Sequence, residues 1–127
     1  MDANMNTINW FEIPVIDFER AKAFYQAIFQ VHLLEMEIGD VKLAMFPSEM
    51  GSGKVSGALC IGEGYTPSKA GTLIYFNGNP DLQNILDRVT AAGGTVTLQK
   101  TQVNPEIGYM AFFNDTEGNR LALHSDY

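Results

Sequence analysis

Two stretches of this chain carry the spacing of an amphipathic helix, and both sit inside the same surrounding pattern. The first opens at Asp17, a side chain suited to cap a helix, and places Phe18, Ala21, Phe24, Tyr25 and Ile28 on one stripe before Gln30. The second opens at Asp81, groups Leu82, Ile85, Leu86, Val89 and Ala92, and stops at Gly93-Gly94. Their starts and ends share one offset, since 81 − 17 and 94 − 30 both give 64. Each follows a strand-like run, Ile8 to Val15 and Gly71 to Asn77, and precedes three more. In the first half these are Leu33 to Ile38 and Val41 to Phe46, a hairpin about Gly39-Asp40, and then Val55 to Ile61. In the second they are Thr95 to Thr101, Tyr109 to Asn114 and Arg120 to Ser125. The pattern predicts two βαβββ modules, about 7–62 and 71–125, within a single domain of residues 1–127. The Gly-, Pro- and Ser-bearing connector from Gly62 to Ala70 is the joint between them.

Composition narrows the picture. At 127 residues the chain makes one domain, but either half alone buries too little surface, so the halves share a core or lie against a partner chain. A net charge of −7 argues against nucleic acid and against anionic membranes, both of which call for basic patches. Cys60 is the single cysteine, which excludes an intramolecular disulfide and fits a reducing compartment. The start, Met-Asp-Ala-Asn-Met-Asn-Thr, lacks the basic and apolar segments of a signal peptide. No apolar run approaches the roughly 20 residues of a membrane span. A cytoplasmic protein is the expectation.

Several of these segments resemble the vicinal-oxygen-chelate superfamily, which includes glyoxalase I, bleomycin-resistance proteins, fosfomycin-resistance enzymes and extradiol dioxygenases. The stretch from Phe11 to Ala21, with Phe24-Tyr25, is similar to that family's opening strand, its Asp and its first helix. Ala91-Ala92-Gly93-Gly94 and Asp115-Thr116-Glu117-Gly118-Asn119-Arg120 resemble its second helix end and its last turn. The resemblance implies an α+β fold in which two paired βαβββ modules form a curved, mostly antiparallel eight-stranded sheet with a concave ligand cavity. It also implies a homodimer, a small-molecule ligand or substrate, and a divalent metal held through His and Glu. The positions that match the family's metal ligands are Trp10, Ile74 and Ala122, with Cys60 for the fourth. Three of these four side chains cannot ligate a metal, so the usual site is not expected.

Strand alternation shows what else reaches the cavity. Phe11, Ile13 and Val15 should pack on the helices, which turns Trp10 and Glu12 toward the concave face. Leu121 and Leu123 do the same in the last strand, leaving Arg120, Ala122 and His124 on that face. Glu12 and His124 are the best chemistry on offer, and three readings stay open. They can hold a divalent metal, with Cys60 as a third ligand, since catalytic zinc sites use three protein ligands. They can act without metal, Glu12 orienting His124 while the imidazole moves a proton. Or they are a hydrogen-bonded pair in a lined cavity. The corresponding functions are a glyoxalase-like lyase or isomerase acting on a small oxygenated metabolite, a metal-free sequestration protein of the bleomycin-resistance kind, and a regulatory or interaction module.

Around that pair, Trp10 and Phe76 are expected to wall an apolar pocket, with Phe112 more simply core. The repeat register turns Tyr75 and Asn77 to the helix side, and His32 reads as surface. Gly51-Ser52-Gly53-Lys54-Val55 lacks the leading Gly and the Ser or Thr of a phosphate loop. His124 and Ser125 are adjacent on one strand and point to opposite faces, so they cannot pair as base and nucleophile.

Overall fold

A computed structural model describes all residues, Met1–Tyr127. Strand β1 (Trp10–Pro14) leads into helix α1 (Phe18–Phe29), followed by β2 (Leu34–Ile38), β3 (Val41–Met45) and β4 (Ser56–Ile61). The order then repeats as β5 (Tyr75–Asn77), α2 (Gln83–Val89), β6 (Thr95–Asn104), β7 (Gly108–Asn114) and β8 (Arg120–Ser125). Asp17 caps α1 by accepting from the Arg20 amide at 3.1 Å, and Gln30 ends the helix in the left-handed conformation. The five apolar residues of the α1 stripe are all buried, as the spacing predicts. Helix α2 is shorter than its pattern: it stops at Val89, and the turn through Thr90 to Gly94 is closed by the Gly94 amide donating to the Val89 carbonyl.

The eight strands form two four-stranded sheets, ordered β1-β4-β3-β2 and β5-β8-β7-β6. The β1–β4 and β5–β8 pairs are parallel and the other four pairs are antiparallel. The α+β, paired-module expectation holds, with the strands divided between two ladders. Where the sheets approach each other, at the free edges of β1 and β5, aromatic rings make the contact. Phe11 and Phe76 meet edge to face with centroids 5.8 Å apart.

One apolar cluster runs through both modules on the helix side. It takes Ile13, Leu59, Phe24, Tyr25 and Ile28 from the first half and Phe76, Leu86, Phe113, Leu121 and Leu123 from the second. Neither half keeps a helix-side core to itself, which is how 127 residues bury enough surface. Each fully buried side chain of this size contributes about 1.5–3 kcal/mol. Gly94 shows how closely the halves fit: a Cβ there would come within 2.7 Å of the Phe24 ring and of the Asn114 carbonyl oxygen.

The turn between β7 and β8 locks the modules together. Glu117 Oε1 accepts from the amides of Ile16 and Asp17 at 3.0 and 2.7 Å, while its Oε2 takes Arg20 Nε at 2.8 Å. Asn119 donates to the Pro14 carbonyl at 2.7 Å, and Tyr25 donates to Asp115 at 2.6 Å. Burial alone would raise the Glu117 pKa. The hydrogen bonds from Arg20, Asp17, Thr116 and Ile16 outweigh it and hold the carboxyl below its usual value.

The two outer faces follow the alternation read for β1 and β8, but β5 does not follow the repeat. Phe76 lies in the helix-side core beside Leu123, while Tyr75 and Asn77 stand with Ala122 and His124 on the helix-free face. The cause is one residue. From Ile13 to Phe18 is five positions, but from Phe76 to Leu82 is six, so the strand offset is 63 (76 − 13) where the helix offset is 64 (82 − 18). A shift of one residue exchanges the faces of a strand.

Candidate functional site

The helix-free face of the first sheet carries Glu12, Ala58, Cys60, Leu43 and Met45 in register across β1, β4 and β3. Leu43, Ala58 and Cys60 form a small apolar cluster there, and Tyr65, from the connector after β4, packs against it. The Tyr65 hydroxyl donates to Glu12 Oε1 at 2.7 Å. That bond, assisted by burial and by the neighbouring thiol, pushes the Tyr65 phenol up to about 12. Cys60 is fully buried; desolvation first, and then the Glu12 carboxylate, raise its thiol to about 12. A thiol so protonated is neither nucleophile nor ready ligand. Glu12, Thr66, Ser68, Gly71, Asn119 and Arg120 line a small pocket of about 260 Å³ beside this group.

On the second sheet, His124 sits across from Asn77 and Met110. Its Nε2 lies 2.6 Å from the carbonyl oxygen of Ile107, in the β6–β7 turn, so that nitrogen carries the proton and donates. A separate shallow pocket of about 550 Å³, lined by Tyr75, Asn77, Val103, Ile107, Met110 and His124, opens here. Arg120 lies over the Phe112 ring, its guanidinium carbon 4.8 Å from the centroid, and Tyr75 packs edge-on to the same ring at 6.2 Å.

The expected residues therefore do reach one face, but not one another. Glu12 has Tyr65 as its partner and His124 has the Ile107 carbonyl, so the hydrogen-bonded Glu12–His124 pair is corrected to two separate contacts. Trp10 is partly exposed at the start of β1, with Ser56 as its strand neighbour. Phe76, expected on a pocket wall, belongs to the helix-side core and also lines the His124 pocket. Ile74, the second-module position matching Trp10, packs against the core; its carbonyl accepts from the Ala122 amide at 2.9 Å, and Tyr75 is the residue in register with Ala122. Tyr65 was not anticipated. Its signal was an isolated aromatic in a connector otherwise rich in Gly, Pro and Ser, where an anchor is needed.

A divalent metal does not fit these donors. No three His, Cys, Asp or Glu side chains converge anywhere in the chain. Glu12 is occupied by a phenol, His124 turns a nitrogen to a carbonyl, and Cys60 is a buried, protonated thiol. No helix is long and apolar enough to cross a membrane.

Comparison with known proteins gives a consistent result. A protein of Didymella fabae described as "Glyoxylase-like domain-containing protein" is 30% identical over 121 residues, covering 91% of each chain. The fold is similar to that of a glyoxalase-related enzyme from Fulvimarina pelagi, with TM-score 0.67 and 13% identity over 95% of this chain and 88% of that one. It is also similar to a glyoxalase/bleomycin resistance protein/dioxygenase family enzyme from Burkholderia phytofirmans PsJN, with TM-score 0.66 and 18% identity over 94% and 98%. The sequence profile of the Glyoxalase/Bleomycin resistance protein/Dioxygenase superfamily matches residues 7–123, and the chain is a member of that superfamily.

Proposed function

We propose that this protein binds a small apolar or aromatic compound on its helix-free face without metal and without catalysis, in the manner of bleomycin-resistance proteins. The observation that carries this reading is the commitment of the reactive groups there. The Glu12 carboxylate is taken by the Tyr65 phenol beside a buried, protonated Cys60 thiol, while the His124 imidazole lies on the other sheet against the Ile107 carbonyl, so base and imidazole do not meet. What the face offers instead is contact surface: Trp10, Met45, Tyr75 and Phe112, with Glu12 and Arg120 as polar handles. The net charge of −7 and the exposed Glu12 suit a ligand bearing a cation on an aromatic body.

A second copy of the chain completes the site in this proposal. Leu34, Met36 and Ile38 of β2 lie on the helix-free face at 68%, 44% and 61% exposure, a row of apolar side chains that calls for a cover. The homodimer would place the two open faces together around the ligand.

A glyoxalase-like enzyme is the second reading, favoured by one feature. Glu12 and Arg120 line the same small pocket, where a carboxylate base and a cation could act on an oxygenated substrate. Metal analysis and a glyoxalase turnover assay, run with Glu12→Ala, His124→Ala and Trp10→Ala, separate the two. Affinity for an aromatic cation that falls with Trp10→Ala and survives His124→Ala, with no turnover, supports the binder. Turnover lost with Glu12→Ala in a folded protein would replace it by the enzyme.

A further inference from the structure

A third cavity, of about 900 Å³, lies between the modules at the free edges of β1 and β5, and Tyr75 and Asn77 of the helix-free face reach its rim. Phe11, Phe29, Phe46 and Phe76 form its apolar floor, their rings in mutual contact at centroid distances from 4.8 to 6.2 Å. Its volume lies within the range of small-molecule sites, roughly 300–1,000 Å³. On one side stand Asp81, Asn84 and Arg88, and on the other Val55 and Ser56 at the start of β4.

The pseudo-repeat says what occupies the matching place elsewhere in the molecule. At the first module's helix that place is filled by the carboxylate of Glu117, which comes from the turn before β8 and is held by Arg20 and two amides. Applying the offset of 64, Glu117 corresponds to Gly53 and Arg20 to Asn84, while Ile16 corresponds to Pro80. In the turn before β4 the matching position is a glycine, and the turn's acidic residue, Glu49, is exposed and does not line the cavity. Pro80 has no amide hydrogen, and the cavity opens beside it. A built-in carboxylate on one side thus faces an open space on the other.

That space carries a cation without a counter-charge. Arg88 is fixed by its Nε, which donates to the Ile28 carbonyl at 2.8 Å, and it forms no ion pair. Asp81 and Arg88 are the charged residues of the lining, and Asp81 is already neutralised by Lys100 at 2.8 Å. The Lys100 hydrogen bond lowers the Asp81 pKa, so that pair stays ionised and internally balanced. The surplus is the terminal guanidinium of Arg88, which lines the same cavity as Asn84 and the aromatic floor.

We propose that this inter-module cavity is a binding site for a small amphipathic carboxylate. The carboxylate meets Arg88 and Asn84, and an aliphatic or aromatic tail lies on the Phe11, Phe29, Phe46 and Phe76 rings. Arg supplies two parallel donors to a carboxylate, and partial exclusion of water strengthens such a charge-assisted bond. The site borders the His124 pocket, sharing Tyr75, Phe76, Asn77 and Asn79 with it, but its aromatic floor and its cation lie between the modules, and it does not rest on the function proposed for the helix-free face.

The test is a titration of 15N-labelled protein with decanoate and, in parallel, with decan-1-ol. The expected result is saturable shifts at Asn84, Arg88 and Phe29 with decanoate, and affinity weaker by about tenfold for the alcohol. Arg88→Gln should reduce decanoate affinity by about tenfold and leave the alcohol nearly unchanged. Because Arg88 also holds the Ile28 carbonyl, Asn84→Ala serves as a second variant that removes no intramolecular bond, and it should weaken decanoate alone. Equal affinity for the two probes, shifts centred on Met110 and His124, or no saturable shift up to about 1 mM would overturn the proposal.

Discussion

The Tyr25 hydroxyl donates to Asp115 Oδ2 at 2.6 Å across ninety residues of sequence, with both side chains inside the core. Tyr25 comes from the helix of the first module and Asp115 from the last turn of the second, so this bond crosses the line along which the repeat would separate. Asp115 also takes the amides of Glu117 and Asn119 and the side chain of Asn119, which fixes the shape of the turn. Burial first, then the charge of Asp115, hold the Tyr25 phenol well above its ordinary pKa, so it remains a donor throughout the accessible pH range. Tyr25→Phe should cost about 1.5–3 kcal/mol, the range for a buried hydrogen bond to a charged acceptor. Urea unfolding should show the midpoint falling with the slope unchanged, because the core keeps its ring and its compactness.

Glu117 turns the same contact into a pH dependence. Its folded-state pKa lies below that of an unfolded glutamate, about 4.3. A depressed pKa means that the stabilisation is present above that value and is lost as pH falls through the folded one. Stability measured by urea midpoints should therefore decline from about pH 4.5 downward. Glu117→Gln should be less stable at neutral pH and show a flatter acid limb. Truncation to Ala, which leaves the Ile16 and Asp17 amides without a partner, should cost about 3 kcal/mol.

Tyr65 gives a direct reading of the candidate site. With Glu12 accepting its hydroxyl, the phenol is raised to about 12. In protein labelled at the tyrosine Cζ, the Tyr65 signal should still report the neutral form near pH 10.5, when an unperturbed tyrosine is mostly ionised. Glu12→Gln removes the charge that opposes ionisation, and the Tyr65 midpoint should move down toward about 10. A midpoint unchanged by that substitution would break the link between the two residues.

Cys60 should be inert in the folded protein. It is fully buried, and its thiol is raised to about 12 by desolvation and by Glu12. Reaction with a thiol reagent at pH 8 should be slow in buffer and rapid in denaturant. Glu12→Gln should change the rate little, because the first cause is burial and burial remains.

The amount that could be read from sequence differs between fold and site for a physical reason. Helix stripes and strand alternation are local patterns, so the buried set on α1 and the faces of β1 and β8 were legible from residue spacing alone. The face of β5 was not, because a single extra residue between Phe76 and Leu82 changes which side chains point inward while leaving the helix repeat intact. Glu12 and His124 were correctly assigned to the helix-free face, but a face does not specify a distance. Which partner each one takes depends on Tyr65 and Ile107, in a connector and a turn, where no periodicity constrains the chain. Asp115 and Glu117 were visible as a turn; their role as a bracket between modules needs the third dimension.

The row formed by Leu34, Met36 and Ile38 supplies the sharpest test of the proposed assembly. Strand β2 is the outer edge of its sheet, and its apolar residues pair with Met45, Leu43 and Val41 on the face away from the helices. Nothing within the chain covers the β2 side chains, while the alternate positions Glu35 and Glu37 are charged. A strand exposed on both faces gains nothing from an apolar row unless another surface meets it. Sedimentation velocity should give a dimer for the wild type and a monomer for Met36→Glu, which places a charge in the middle of the row. Thermal unfolding should show the folded monomer largely intact, since Met36 takes no part in either core cluster. If Met36→Glu remains dimeric, the contact lies elsewhere, and the helix-free face would have to bind its ligand with one side open to water.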